Sequence, residues 1–187
     1  MLPTALHFSH TLLKEIVQAG DHVVDATMGN GNDTQLLAEL VGTNGKVYAF
    51  DVQQQALSAT QQRLTEKNLH TQAVLIHDGH QHLARYLQTD EEIRAAVFNL
   101  GYLPKSDKQI ITLPETTRQA LDVLLQHLVK KGRIIIVAYY GHAGGAEELA
   151  TVDDYCRSLP QKEFNVLQYQ FINQKNQPPI LFCIERK

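Results

Sequence analysis

The feature that most constrains this sequence is a series of short apolar runs, each ending in polar or glycine residues, that alternate with stretches at helical spacing. His22 to Ala26 (HVVDA) closes on a Gly/Asn-rich turn and precedes a helix from about Thr34 to Leu40. Lys46 to Phe50 (KVYAF) ends on Asp51 and leads into the helix formers of Gln53 to Lys67. Ala73 to Ile76 and Ala95 to Phe98 give two more short strands, and Arg133 to Ala138 (RIIIVA) has the β-branched pattern of a strand covered on both faces. Ser9 is the expected cap of a leading helix that carries Leu12, Leu13, Ile16 and Val17 on one stripe and stops at Gly20. Thr112 and Glu115 form a capping box for a helix carrying Leu121, Leu124, Leu125 and Leu128 before Gly132, and a further helix fits Ala146 to Leu159. Five strands alternating with helices predict an α/β fold, a parallel sheet with helices on both faces.

The end of the chain breaks this rhythm. Phe164 to Ile172 and Ile180 to Ile184 both read as strands, with only Asn173 to Pro179 between them. A parallel crossover needs a dozen or more residues, so these strands pair antiparallel if they are neighbours.

In an open α/β sheet the ligand lies beyond the carboxyl ends of the strands. After the first strand comes DATMGNGND, in which Gly29 and Gly31 let the backbone approach a ligand and Asn30, Asn32 and Asp33 offer polar groups. Asp51, twenty residues beyond Gly31, stands where a carboxylate accepts the hydroxyls of an adenosine ribose. The dinucleotide fingerprint is incomplete, because Thr34 stands where a third Gly or Ala is needed. Asp25 and Asp33 put negative charge where a pyrophosphate would sit, which is unfavourable for NAD and suits a sulfonium with an α-amino group. The balance favours S-adenosylmethionine (SAM), with a plain tight turn as the alternative.

VDATMGNGNDT, FDVQ at 50 to 53, HDGHQ at 77 to 81, FNLGYLP at 98 to 104 and YYGHAGG at 139 to 145 together resemble the small SAM-dependent methyltransferases long labelled rRNA methylases, the MnmM-type family. The resemblance covers nearly the whole chain. It implies one Rossmann-like class I methyltransferase domain over residues 1–187, a seven-stranded, mostly parallel sheet with an antiparallel C-terminal hairpin. It also implies methylation of 5-aminomethyl-2-thiouridine at the tRNA wobble position, with the anticodon loop as partner. The side chains of Asn30, Asn32, Asp51, Gln53 and His80 would hold the cofactor, and Asp78, Gly79 and His80 would lie near its adenine and ribose. In NLGYLP, the Asn99 and Gly101 carbonyl groups would hold the nucleophilic nitrogen while Tyr102 stacks on the uracil; a turn with a core Tyr is the alternative. His142, among three glycines, is a candidate substrate-site residue or else a capping or solvated histidine.

His77, His80 and His82 could suggest a metal, but no second element supplies further ligands at suitable spacing, so none is expected. Lys105, Lys108 and Arg118 could meet phosphates, although Asp107 and Glu115 dilute the local charge. The formal net charge of -3 over 187 residues leans away from nucleic acid. A small-molecule or rRNA methyltransferase and a noncatalytic SAM- or RNA-binding module therefore stay open as rivals. Cys156 and Cys183 read as buried reduced thiols. No apolar run approaches the roughly 18 residues that span a bilayer, and the N-terminus lacks a signal-peptide pattern, so a cytoplasmic location without membrane contact is expected. With no separate RNA-binding domain in view, a homodimer sharing an RNA surface is worth testing by light scattering.

Overall fold

The computed structural model describes residues 1–101 and 112–187. The elements run α1 (Ala5–Lys14), β1 (His22–Asp25), α2 (Asn32–Val41), β2 (Lys46–Asp51), α3 (Gln54–Glu66) and β3 (Ala73–His77). A 3-10 turn (His80–Arg85), β4 (Ile93–Leu100), α4 (Pro114–His127), β5 (Leu128–Ala138), α5 (Gly145–Ser158), β6 (Phe164–Tyr169) and β7 (Ile180–Arg186) follow. The strands form one sheet of order β3-β2-β1-β4-β5-β7-β6. Only β7 is reversed, and it lies between β5 and β6, antiparallel to both. The expected hairpin is present, with its second strand inside the sheet and its first at the edge.

Side-chain alternation along the strands builds two apolar layers. Val24, Phe50, Ala96, Phe98, Ile134, Ile136 and Phe182 face α4, α5 and the 3-10 turn through Leu83, Leu121, Leu124 and Val152. Val23, Val47, Ala49, Ala95, Val97, Ile135 and Leu181 face α1, α2 and α3 through Leu13, Leu37, Ala38 and Leu64. Cys156 packs in the first layer and Cys183 in the second, so the sheet separates them. Burial pushes each thiol up to about 12, which keeps both protonated.

Three local expectations need correction. The cap of α1 is Thr4, whose hydroxyl accepts from His7 N; Ser9 is inside the helix and donates to Leu6 O. Thr112 does not cap α4, because its hydroxyl is engaged elsewhere and Leu113 takes the cap position ahead of Pro114. That helix ends at His127, and Leu128 turns into an extended conformation that opens β5 five residues before Arg133. Lys131, at a φ of +62°, and Gly132 shape the irregular start of β5 against β4.

The chain order reverses between β1 and β4, and a cavity of about 1000 Å³ opens over the carboxyl ends of the strands there.

Candidate active site

The glycine turn after β1 is pinned from three sides. Ala26 N donates to Val97 O of β4 and Met28 N to Phe50 O of β2, each at 2.9 Å. From α3, the Thr60 hydroxyl donates to Gly29 O (3.1 Å) and Arg63 Nε to Asn30 O (2.8 Å). Gly31 has a φ of +76°, and a Cβ there would lie 2.8 Å from Thr60 Oγ1. Glycine is thus required both by conformation and by the closeness of α3. The turn delivers Gly29, Asn30, Asn32 and Asp33 to the cavity wall, whereas Gly31 lies beneath it.

Three carboxylates follow three strands in different settings. Asp51 ends β2; its Oδ2 accepts from Gly29 N (3.0 Å) and its Oδ1 from Gln53 N (2.9 Å), which fixes the carboxylate at the wall. Burial raises its pKa. Asp78, after β3, accepts from His82 Nδ1, Gly79 N and the Tyr86 hydroxyl, and these bonds, that of His82 foremost, hold its carboxyl below the ordinary value. Asp25 ends β1, is fully buried and does not line the cavity. It accepts from the Thr34 hydroxyl (2.6 Å) and Thr27 N (3.2 Å), so it braces the turn from behind. Burial, and then the charge of Asp33, push its carboxyl up to about 7.

Asp33 joins two elements distant in sequence. Its Oδ1 lies 2.6 Å from His10 Nε2 of α1, and its Oδ2 accepts from Asn99 Nδ2 of β4 at 2.6 Å. A carboxylate cannot donate, so the Asn99 amide must turn its nitrogen to Asp33. The Asn99 carbonyl oxygen is left buried, with no hydrogen-bond partner among the described residues. His80 presents a second such acceptor. Its Nδ1 donates to Ala26 O (3.0 Å), burial lowers its pKa and keeps the ring neutral, and its buried Nε2 has no partner among the described residues. His77 bonds Val52 O and His82 bonds Asp78, so the three histidines do not converge on one point.

The far wall carries Tyr139, Tyr140, His142 and Gln177. Gly101 and Thr112 tie the chain across the segment between them: Thr112 N donates to Gly101 O (3.1 Å), and Gly101 N donates to the Thr112 hydroxyl (3.0 Å). That hydroxyl in turn donates to the buried Glu148 of α5, which also accepts from Thr117. Tyr102, Lys105 and Lys108 lie outside the described residues. Arg118 is on α4, ion-paired with Glu115 and Asp122.

Among the described residues, the cavity wall has carboxylates at Asp33, Asp51 and Asp78 and neither Lys nor Arg. Such a wall repels pyrophosphate and favours a cation. Two buried acceptors without a partner among the described residues, the Asp51 carboxylate held at the wall and a glycine turn together fit SAM. Neither His10 nor Gln177 was among the sequence candidates: His10 stands on α1 ahead of the first strand, and Gln177 in the connection between β6 and β7, outside the βα turns that carried the motifs. Among the described residues, no group of three His, Cys, Asp or Glu side chains is placed to hold a metal ion.

A family model described as "Putative rRNA methylase" matches residues 47–185, well over half of the chain. The chain belongs to this rRNA methylase family. Over its full length the chain resembles a protein from Clostridium thermocellum described as a "putative rRNA-methylase" (47% identity, TM-score 0.97, 100% of each chain). It is similarly close to the methyltransferase SMU.1697c of Streptococcus mutans, solved in complex with SAH (42% identity, TM-score 0.91, 100% of each chain). A chloroplastic tRNA (mnm(5)s(2)U34)-methyltransferase of Arabidopsis thaliana is 35% identical over 98% of this chain and 70% of its own length. The sheet, with its reversed β7, is that of class I methyltransferases, as a Thermotoga maritima O-methyltransferase also shows at 16% identity and TM-score 0.66. The chain is therefore a SAM-dependent methyltransferase.

Proposed function

We propose that this methyltransferase acts on RNA, converting 5-aminomethyl-2-thiouridine at the tRNA wobble position to its 5-methylaminomethyl form. The observation that carries the chemistry is the Asn99 carbonyl oxygen, buried, oriented by Asp33 and lacking a partner among the described residues. It suits an N–H donor, and the acidic wall suits a cationic amine. The RNA and the nucleoside come from the Arabidopsis relative, whose name gives that position.

When bound, SAM supplies a methyl group activated by its sulfonium charge. The protein's task is alignment, water exclusion and control of one proton. Asp51 would accept from the ribose hydroxyls, Asn30, Asn32 and Gln53 would help hold the cofactor, and Asp78, Gly79 and His80 would lie near its adenine and ribose. Asn99 holds the acceptor nitrogen, with Tyr102 and His142 at the substrate. An alkylamine is mostly protonated at neutral pH, by analogy with Lys near 10.4, so the site must free its lone pair. The partner we propose is the anticodon loop, bound beside Lys105 and Lys108 by a homodimer in the cytoplasm. No described helix is long and apolar enough to cross a membrane.

Nucleoside mass spectrometry of tRNA from a deletion strain tests this reading. Loss of the methylaminomethyl nucleoside with accumulation of its aminomethyl precursor is the expected result, and an unchanged nucleoside profile would overturn it.

A further inference from the structure

Building on the reading of the acceptor as a primary alkylamine, we propose that His10 of α1 is the base that removes the proton of the substrate ammonium. His10 lies outside the residues that the family model matches, yet its ring lines the cavity, with 26% of the side chain exposed. Its Nε2 is 2.6 Å from Asp33 Oδ1. Because a carboxylate oxygen accepts, Nε2 carries the hydrogen of this bond, and the lone pair of the ring as a base stands at Nδ1. The other oxygen of the same carboxylate sets the Asn99 amide. One aspartate therefore orients a base and a hydrogen-bond acceptor over a single cavity, the arrangement that positioned proton transfer requires.

The charged and titratable groups around His10 are Asp33 on α2, Asp25 behind it on β1 and Tyr139 after β5, whose hydroxyl burial and the Asp33 charge push up. Along α1 itself stand His7, bonded to Thr4, Lys14 and Glu15; Glu15 pairs with Arg133 of β5, which also pairs with Glu185 of β7. On the cavity side the balance is negative, which stabilises an imidazolium as it forms.

The step balances. His10 Nδ1 takes one proton from the ammonium; the freed nitrogen pair forms the N–C bond while the C–S bond breaks with its pair going to sulfur. The methylated product remains an ammonium, the sulfur becomes a neutral thioether, and the proton leaves from His10 to solvent at the cavity rim.

The test is His10→Gln assayed on tRNA bearing 5-aminomethyl-2-thiouridine. We expect kcat at pH 7.5 to fall by about 100-fold while calorimetric SAM affinity stays within about twofold. The residual rate should rise about tenfold per pH unit towards pH 9, as solvent alone takes the proton, and added imidazole should restore part of it. Nitrogen NMR of the free wild-type protein should show His10 as the Nε2–H tautomer, a readout that needs no turnover. Wild-type rate and pH profile in His10→Gln, or an Nδ1–H tautomer, would overturn the assignment. Wild-type enzyme inert towards that tRNA would instead remove the acceptor reading, and the base with it.

Discussion

Asp25→Asn isolates the cost of the carboxylate buried behind the glycine turn. Asp25 is fully buried, and its pKa is raised from 3.8 to about 7. The folded protein therefore keeps a proton that the unfolded chain has released, and stability falls as pH rises from about 4 to about 7, then levels. A shift of roughly three units at about 1.36 kcal/mol each amounts to about 4 kcal/mol above pH 7.5, of which less than half is already present at pH 5. Asparagine has the same shape and does not titrate; its oxygen can face Thr27 N while its nitrogen donates to Thr34, whose hydroxyl turns to accept. Any fixed penalty of that rearrangement is the same at both pH values. Urea unfolding at pH 5 and pH 8 should then show the variant gaining about 2 to 3 kcal/mol on the wild type between the two. A difference that does not change with pH would refute the buried charge as its source.

The same charge predicts linkage to the cofactor: a cation above the turn favours ionised Asp25, so SAM binding should release protons near pH 6 to 7 and tighten as pH rises to about 7. Calorimetry in buffers of different ionisation enthalpy reads this, and Asp25→Asn should abolish it. Asp51→Ala should weaken SAM binding by about 10- to 100-fold through lost bonds to a charged acceptor; full affinity would end its ribose role. Gly31→Ala meets both a positive φ and a contact of 2.8 Å with Thr60. It should lose about 1 to 3 kcal/mol in thermal unfolding, and adding Thr60→Ala should recover only the steric share. An unchanged melting temperature in the single variant would contradict this.

The parallel strands, the polar residues at their ends and the reversed hairpin were legible because each is a local pattern. HVVDA, KVYAF and RIIIVA carry their burial in their own composition, and a seven-residue connection forbids a parallel crossover. The turn and Asp51 were legible for the same reason. What the sequence concealed was produced by contacts between distant elements. His10 meets Asp33 23 positions away, and Arg63 meets Asn30 33 positions away. Thr112 has the spacing of a capping box, but a tertiary partner, Glu148, outcompetes the local bond. Asp25 is polar and ends a strand, as ligand-binding residues do, and only its complete burial reveals it as a brace.

β6 touches the rest of the sheet only through β7, so its cross-strand bonds last no longer than its neighbour's. In hydrogen exchange the two strands should open as one unit whose protection β7 limits. α1 packs on both β5 and β7, and the Tyr169 hydroxyl at the end of β6 bonds Pro3 O just ahead of that helix. An opening of the hairpin should therefore loosen the docking of α1 and, with it, the contact of His10 with Asp33. The sheet edge farthest from the glycine turn is thereby coupled, through α1, to the wall of the cavity that carries His10.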